Sequence, residues 1–233
     1  LGVSKLRLSA AVRLSYTVMC LIGKEFMKVL NLYAGIGGNR KLWSGHQVTA
    51  VEIDPDIAEV YQAIYHDDTV VVGDALDYLE KHYAEYDFIW ASPPCPSHGQ
   101  YRHNVGVIGK GFDPIMPDMS LYSQIIFLKT YFKGQWVVEN TKPYYKPLVD
   151  PSFILHRHLF WSSDTVPHMD FKPAKIRSKN KISDFDGYEV VAQSKVKNKR
   201  QVLRNCILPE LGEYIMRHIT RRCTGHDTAV PVS

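Results

Sequence analysis

Val29-Leu30-Asn31-Leu32-Tyr33-Ala34-Gly35-Ile36-Gly37-Gly38 is a short apolar run that ends in a cluster of glycines. Such a run, closed by a turn signal, predicts a buried strand feeding a tight turn. The same pattern recurs downstream. Val48 to Ile53 predicts a second strand, and Asp54-Pro55 opens a helix to about Tyr65, with aspartate as N-cap and proline in the first turn. Thr69 to Val72 predicts a third strand ended by Gly73-Asp74, then a helix from Leu76 to about Tyr83. Tyr86 to Ala91, Leu121 to Phe132 and Gln135 to Glu139 predict strand, helix and strand. Asn39 to Ser44 reads as the start of a helix, and residues 97–118 as a long loop rich in Gly, Pro, His and Asn. His158 to Trp161 reads as a further strand, and Leu208 to about Arg221 as a closing helix. Alternating strands and helices predict an α/β fold: a mostly parallel sheet with helices on both faces.

The chain of 233 residues is 45% apolar and 12% aromatic, which suits one large domain with a sizeable core. That excludes a disordered tail or a fibrous repeat. No run of eighteen apolar residues occurs, so no helical membrane span is expected. Cys20, Cys95, Cys206 and Cys223 lie far apart with no C-x-x-C pair. This speaks against a zinc site or a disulfide framework and for a reducing, cytoplasmic setting. The formal charge of +4 is unevenly spread. Residues 165–204 hold ten Lys/Arg against four Asp/Glu, whereas residues 27–164 sum to −5. The basic strip is a candidate nucleic-acid surface, or a solvated loop. Met27 opens a strand directly, so residues 1–26 are expected to be an upstream extension outside the fold.

In an open parallel sheet, ligands bind at the carboxyl ends of the strands near the switch in strand order. Three features fall at three successive strand ends. Tyr33-Ala34-Gly35-Ile36-Gly37-Gly38 would let backbone approach a ligand closely. Glu52, with Ile53 and Asp54, suits the hydroxyls of a ribose. Gly73-Asp74-Ala75 offers a carboxylate to an adenine amino group. Together they describe an adenosine site without a diphosphate cradle, and no G-x-x-x-x-G-K-[ST] is present. S-adenosylmethionine (SAM) fits that description. The fourth strand ends at Ser92-Pro93-Pro94-Cys95-Pro96, where prolines stiffen the turn that aims the thiol, so Cys95 is a candidate nucleophile. Glu139 ends the fifth strand in the same crevice, where a carboxyl group can act as an acid.

These stretches resemble the DNA cytosine-5 methyltransferases. The likeness rests on Leu32 to Gly38, Val51-Glu52-Ile53-Asp54, Gly73-Asp74-Ala75-Leu76, Ser92-Pro93-Pro94-Cys95, Val138-Glu139-Asn140-Thr141, His158-Leu159-Phe160-Trp161 and Leu203-Arg204-Asn205-Cys206-Ile207-Leu208-Pro209. They occur in the family's order over about residues 27–222, and the short form is similar to members from phages and other mobile elements. The resemblance implies a Rossmann-like SAM-dependent methyltransferase fold, with 27–164 as SAM-binding and catalytic core, 165–204 as a short basic DNA-recognition segment, and 205–233 as closing helix and tail. It implies methyl transfer from SAM to C5 of cytosine in double-stranded DNA, through a Cys95 adduct to C6 of a flipped-out base. Glu139 would protonate or hydrogen-bond N3, and Asn140 would orient the Glu139 loop. Tyr33, Ala34, Gly35, Gly37 and Gly38 would hold the methionine end and nearby ribose of SAM. Glu52 and Ile53 would meet the ribose, Asp74 and Ala75 the adenine, and Asn205 would complete the pocket. No metal is implied.

Three departures matter. Pro96 stands where the family commonly has Gln. The family's two arginines one residue apart, which contact the flipped base, correspond to His156 and His158, with Arg157 between; Arg157 is assigned the role. The recognition region is reduced, since only residues 165–201 fill its place. Lys and Arg there can contact phosphates regardless of sequence, which implies salt-dependent DNA binding with a short target, or a partner supplying specificity. The chain is expected to act as a monomer in the cytoplasm of a bacterial or phage-infected cell. RNA cytosine-5 methylation and a silent SAM- or DNA-binding protein are the rival readings.

Overall fold

The computed structural model describes residues 26–171 and 189–221. Nearly all of the expected upstream extension, the middle of the basic strip (172–188) and the tail (222–233) therefore lie outside the described residues. Seven strands form one sheet: β1 Lys28–Leu32, β2 Gln47–Glu52, β3 Thr69–Val72, β4 Phe88–Ala91, β5 Gln135–Thr141, β6 Phe153–Leu155 and β7 His158–Ser162. Their order is β3-β2-β1-β4-β5-β7-β6. The first five run parallel, while β7 pairs antiparallel with both β5 and β6. Helices are α1 Pro55–Ile64, α2 Ala75–His82, α3 Ser120–Tyr131, α4 Glu189–Gln193, α5 Lys199–Asn205 and α6 Pro209–Arg221. The α/β architecture is the one read from the sequence.

Period-2 alternation builds a core on each face of the sheet. Leu30, Leu32, Ile89, Ala91, Val138, Leu159 and Trp161 face α2 and α3, joined there by Leu79, Leu121, Ile125 and Leu128. Val29, Phe88, Trp90, Val137 and Phe160 face the other way, against Trp43 and the Leu211, Ile215 and Ile219 stripe of α6. Burial on both faces is why β1 and β4 read as continuous apolar runs. No described helix is long and apolar enough to cross a membrane.

Two local expectations need correction, and two further elements were not expected. Asn39 to Ser44 is not helical; it is a chain of tight turns, Gly37 to Ala34, Arg40 to Gly37 and Trp43 to Arg40. Here the Asn39 side chain bonds Asn31, and Arg40 turns back to the Trp43 carbonyl and to Asp68. Gly45, at φ +78°, then reverses the chain. Second, residues 100–110 within the expected loop coil into a helix, π-helical over Arg102–Ile108. Only Gly106 is buried there, so the segment has no apolar stripe to be read. Third, β6 is an additional strand, too short at three residues to carry a pattern. Fourth, the polar basic stretch contains α4 and α5, whose Val191 and Leu203, with Val196 between, pack on Ile36 and Val60. Lys195, Lys197, Arg200 and Arg204 stay exposed.

Candidate active site

The connection from β1 runs outward to β2, and the chain later returns past it to β4, so strand order switches between β1 and β4. A crevice at the carboxyl ends of β1 and β4 follows from that topology. The glycine turn after β1 and the Pro-Pro-Cys turn after β4 both open onto it. They are joined at their bases by the Ser92 N–H, which donates to the Leu32 carbonyl at 3.3 Å, while Trp90 Nε1 steadies Ser92 by donating to its Oγ at 2.9 Å.

The glycine turn depends on left-handed backbone. Tyr33, Gly35 and Gly37 have φ of 54°, 55° and 74°. A Cβ on Gly35 would meet nothing within 4 Å, so the turn is open to a ligand there. At Gly37 the reverse holds: a Cβ would lie 2.3 Å from Tyr65 Cε2 and 2.8 Å from Tyr61 Cε2. Gly37→Ala therefore combines backbone strain with overpacking and should lower stability by about 2–4 kcal/mol, read as a drop in the urea midpoint. Behind the turn, Arg40 and Asp68 form a bidentate pair at 2.8 Å, Tyr61 Oη donates to Asp68, and Tyr65 Oη donates to the Gly37 carbonyl. That clamp was not legible in the sequence, because its members lie 28 residues apart.

Glu52 is buried at the end of β2. Its Oε2 accepts from the Gly35 N–H at 2.9 Å and its Oε1 from the Asp54 N–H at 3.0 Å. It thus shapes the glycine turn while each oxygen keeps lone-pair capacity for a hydroxyl. Ile53 is 67% exposed and Val72, at the end of the adjoining β3, is 56% exposed. Two bare aliphatic side chains beside a carboxylate suit the flat face of a base, and Val72 was not anticipated. Asp74 caps α2, accepting from the Leu76 and Asp77 N–H groups through Oδ1 alone. Ala34 and Ala75 are buried. Asn205 is exposed at the end of α5, beside the glycine turn: a Cβ on Gly38 would lie 2.7 Å from Cys206 Cβ.

Cys95 is half-buried after β4. Burial pushes its thiol above the ordinary value, the Glu139 carboxylate adds to the push, and Arg157 opposes it. Glu139 is buried near the end of β5, and Asn140 Nδ2 donates to the Pro93 carbonyl at 3.0 Å. That bond ties the Glu139 strand to the Pro-Pro-Cys turn. A second seam joins the segments beyond: Gln100 N–H to Lys142 O, Tyr144 N–H to His98 O, and His103 stacked on Tyr144 with ring centres 4.4 Å apart. His98 is buried, its Nδ1 2.5 Å from Tyr145 Oη, and burial lowers its pKa.

Arg157 sits in the tight turn between β6 and β7, after His156 at φ 55°. Its Nε donates to His158 Nε2 at 2.9 Å and its Nη2 to the Arg204 carbonyl at 3.2 Å. His158 is buried, and its Nδ1 lies 2.7 Å from Glu139 Oε1. The structure therefore brings Cys95, Glu139, Asn140 and Arg157 to one end of the sheet, with His158 between Arg157 and Glu139.

Likeness to known proteins is uneven. Among curated protein sequences, none matches this chain. A hypothetical protein of Thermus thermophilus is similar in structure, with a TM-score of 0.42 and 14% identity over 71% of this chain and 91% of that one. A SAM-dependent methyltransferase from Agrobacterium tumefaciens has a TM-score of 0.36 and 14% identity over 59% of this chain and 47% of that one. At these scores the likeness carries no argument about function. In sequence, residues 27–112, which contain the glycine turn, Glu52, Asp74 and Cys95, match the family model of the C-5 cytosine-specific DNA methylases.

Proposed function

We propose that this protein transfers a methyl group from SAM to C5 of cytosine in double-stranded DNA, through a covalent bond between Cys95 and C6 of a flipped-out base. One observation carries the reading: Cys95 and Glu139 end neighbouring parallel strands, tied by the Asn140–Pro93 bond, across the strand switch from an open glycine turn. The match of residues 27–112 to the C-5 cytosine methylases supports the choice of base and atom.

The residues fit SAM. The open backbone at Gly35, the bare Ile53 and Val72, and carboxylates at Glu52 and Asp74 accept an adenosine and offer nothing built for phosphates. Tyr33 and the glycine turn, with Asn205 nearby, would hold its amino-acid end. When bound, SAM supplies an electrophilic methyl group. The chain's own residues make the base nucleophilic. The Cys95 thiolate forms a bond to C6 while Glu139 gives a proton to N3, so the ring's electron pair is delivered to C5. After methylation a base removes the C5 proton, the C5–C6 double bond returns, the thiolate leaves and N3 gives its proton back to Glu139. A duplex hides C6, so the base must leave the stack. The helical segment 100–110, anchored by the seam to 142–145, is the element that would close over it and exclude water. Exposed Lys195, Lys197, Arg200 and Arg204, with the rest of the basic strip, would meet phosphates. We place the protein in the cytoplasm of a bacterial or phage-infected cell, acting as a monomer.

Expression in a methylation-free bacterium, followed by bisulfite sequencing, tests the reading. Protected cytosines at one short, recurrent motif are expected. Uniform conversion, with soluble protein in the cell, would overturn it.

A further inference from the structure

Glu139 must be a carboxylic acid at the moment it serves N3, and a carboxylic acid has one oxygen that donates and one that accepts. Which oxygen carries the proton is a geometric question, and the surroundings of Glu139 answer it. Arg157 keeps its charge and can only donate, so its Nε–H makes His158 Nε2 the acceptor. The one remaining imidazole proton stands on Nδ1, 2.7 Å from Glu139 Oε1. That contact lacks hydrogen-bond geometry, so Nδ1 has no hydrogen-bond partner among the described residues and acts on Oε1 as the positive end of a close dipole. Among the described residues, the other charged or titratable groups facing this pair are Cys95 from the turn after β4 and His156 and Arg157 from the β6–β7 turn.

We propose, resting on the cytosine reading above, that His158 is a positioning residue: the Nδ1–H dipole held beside Oε1 disfavours a proton there and leaves it to Oε2, the oxygen left for the base. Arg157 fixes the tautomer that makes this work. The residue types matter in sequence: a histidine preceded by arginine, on the strand antiparallel to β5, reaches Glu139 from the diagonal position.

The test compares three substitutions at position 158. Asparagine sets an amide donor near the place of Nδ1, glutamine sets it near the place of Nε2, and phenylalanine keeps the ring without donors. His158→Asn should keep kcat within a few-fold of the wild type. His158→Phe should lower kcat about 10- to 100-fold, with the KM for DNA unchanged. Should His158→Phe fail to fold, His158→Gln makes the same comparison and should behave as the phenylalanine variant does. Wild-type kcat in the variants lacking the Nδ1-side donor, or a loss that appears in the KM for DNA and not in kcat, would overturn the proposal, as would equal losses in asparagine and glutamine variants of wild-type melting temperature. A wild-type protein that methylates no DNA would instead overturn the cytosine reading itself.

Discussion

Cys95→Ser is expected to abolish DNA methylation, by more than about a thousandfold, with SAM binding unchanged. The sulfur is asked to form a bond to a ring carbon, and a hydroxyl at the same place is far less nucleophilic. The substitution is nearly isosteric, and Cys95 lies outside the apolar core clusters, so stability should hold. Calorimetric titration with SAM beside a tritium-transfer assay separates the two effects. Residual methylation near the wild-type rate would remove Cys95 from the reaction.

Glu139→Gln should lower kcat about 100-fold, because an amide can hydrogen-bond N3 but cannot hand over a proton. A second effect of opposite sign is expected at Cys95. The Glu139 carboxylate raises the thiol's pKa, so its removal should lower that pKa and increase the thiolate fraction at neutral pH. Alkylation of Cys95 by iodoacetamide should therefore be faster in Glu139→Gln than in the wild type, with its pH midpoint shifted down. Slower methylation together with a more reactive thiol is hard to obtain from general damage. An unchanged alkylation profile would mean that the two groups do not sense each other.

The parallel half of the sheet was legible because its signals are local. Strands β1 to β4 are bounded by Gly, Pro or Asp, and β1, β2 and β4 are near-continuous apolar runs; Asp54-Pro55 and Asp74 mark helix starts by capping chemistry. Cys95 and Glu139 could be placed in one crevice because parallel strands present the same end. What escaped depends on contacts between distant residues. Asn39 to Ser44 has helix-compatible composition, but the Arg40–Asp68 pair and the Asn39–Asn31 bond draw it into turns. Helix 100–110 buries only one glycine, so periodicity had nothing to report. The basic strip read as polar, yet Val191, Val196 and Leu203 anchor its second half on Ile36 and Val60.

The meeting of His158 with Glu139 was the larger omission at the site. In the sequence His158 stands only as a substitute for an arginine that contacts the base. Its approach to Glu139 requires knowing that β7 runs antiparallel to β5, with His158 opposite Thr141. The hairpin β6–β7 supplies that reversal, and a three-residue strand carries too little pattern to announce it. The same hairpin turn explains why Arg157 faces the β7 histidine and the Arg204 carbonyl.

The covalent step can be read directly with a duplex that carries 5-fluorocytosine in place of the target base. Once the methyl group has joined C5, fluorine stands where the removable proton would be and cannot leave as a cation. The Cys95–C6 bond then has no route to break. A SAM-dependent complex that survives denaturation is expected, with its adduct on the Cys95 peptide by mass spectrometry and absent from Cys95→Ser. An enzyme that methylates the ordinary duplex but forms no such complex with the fluorinated one would contradict the account.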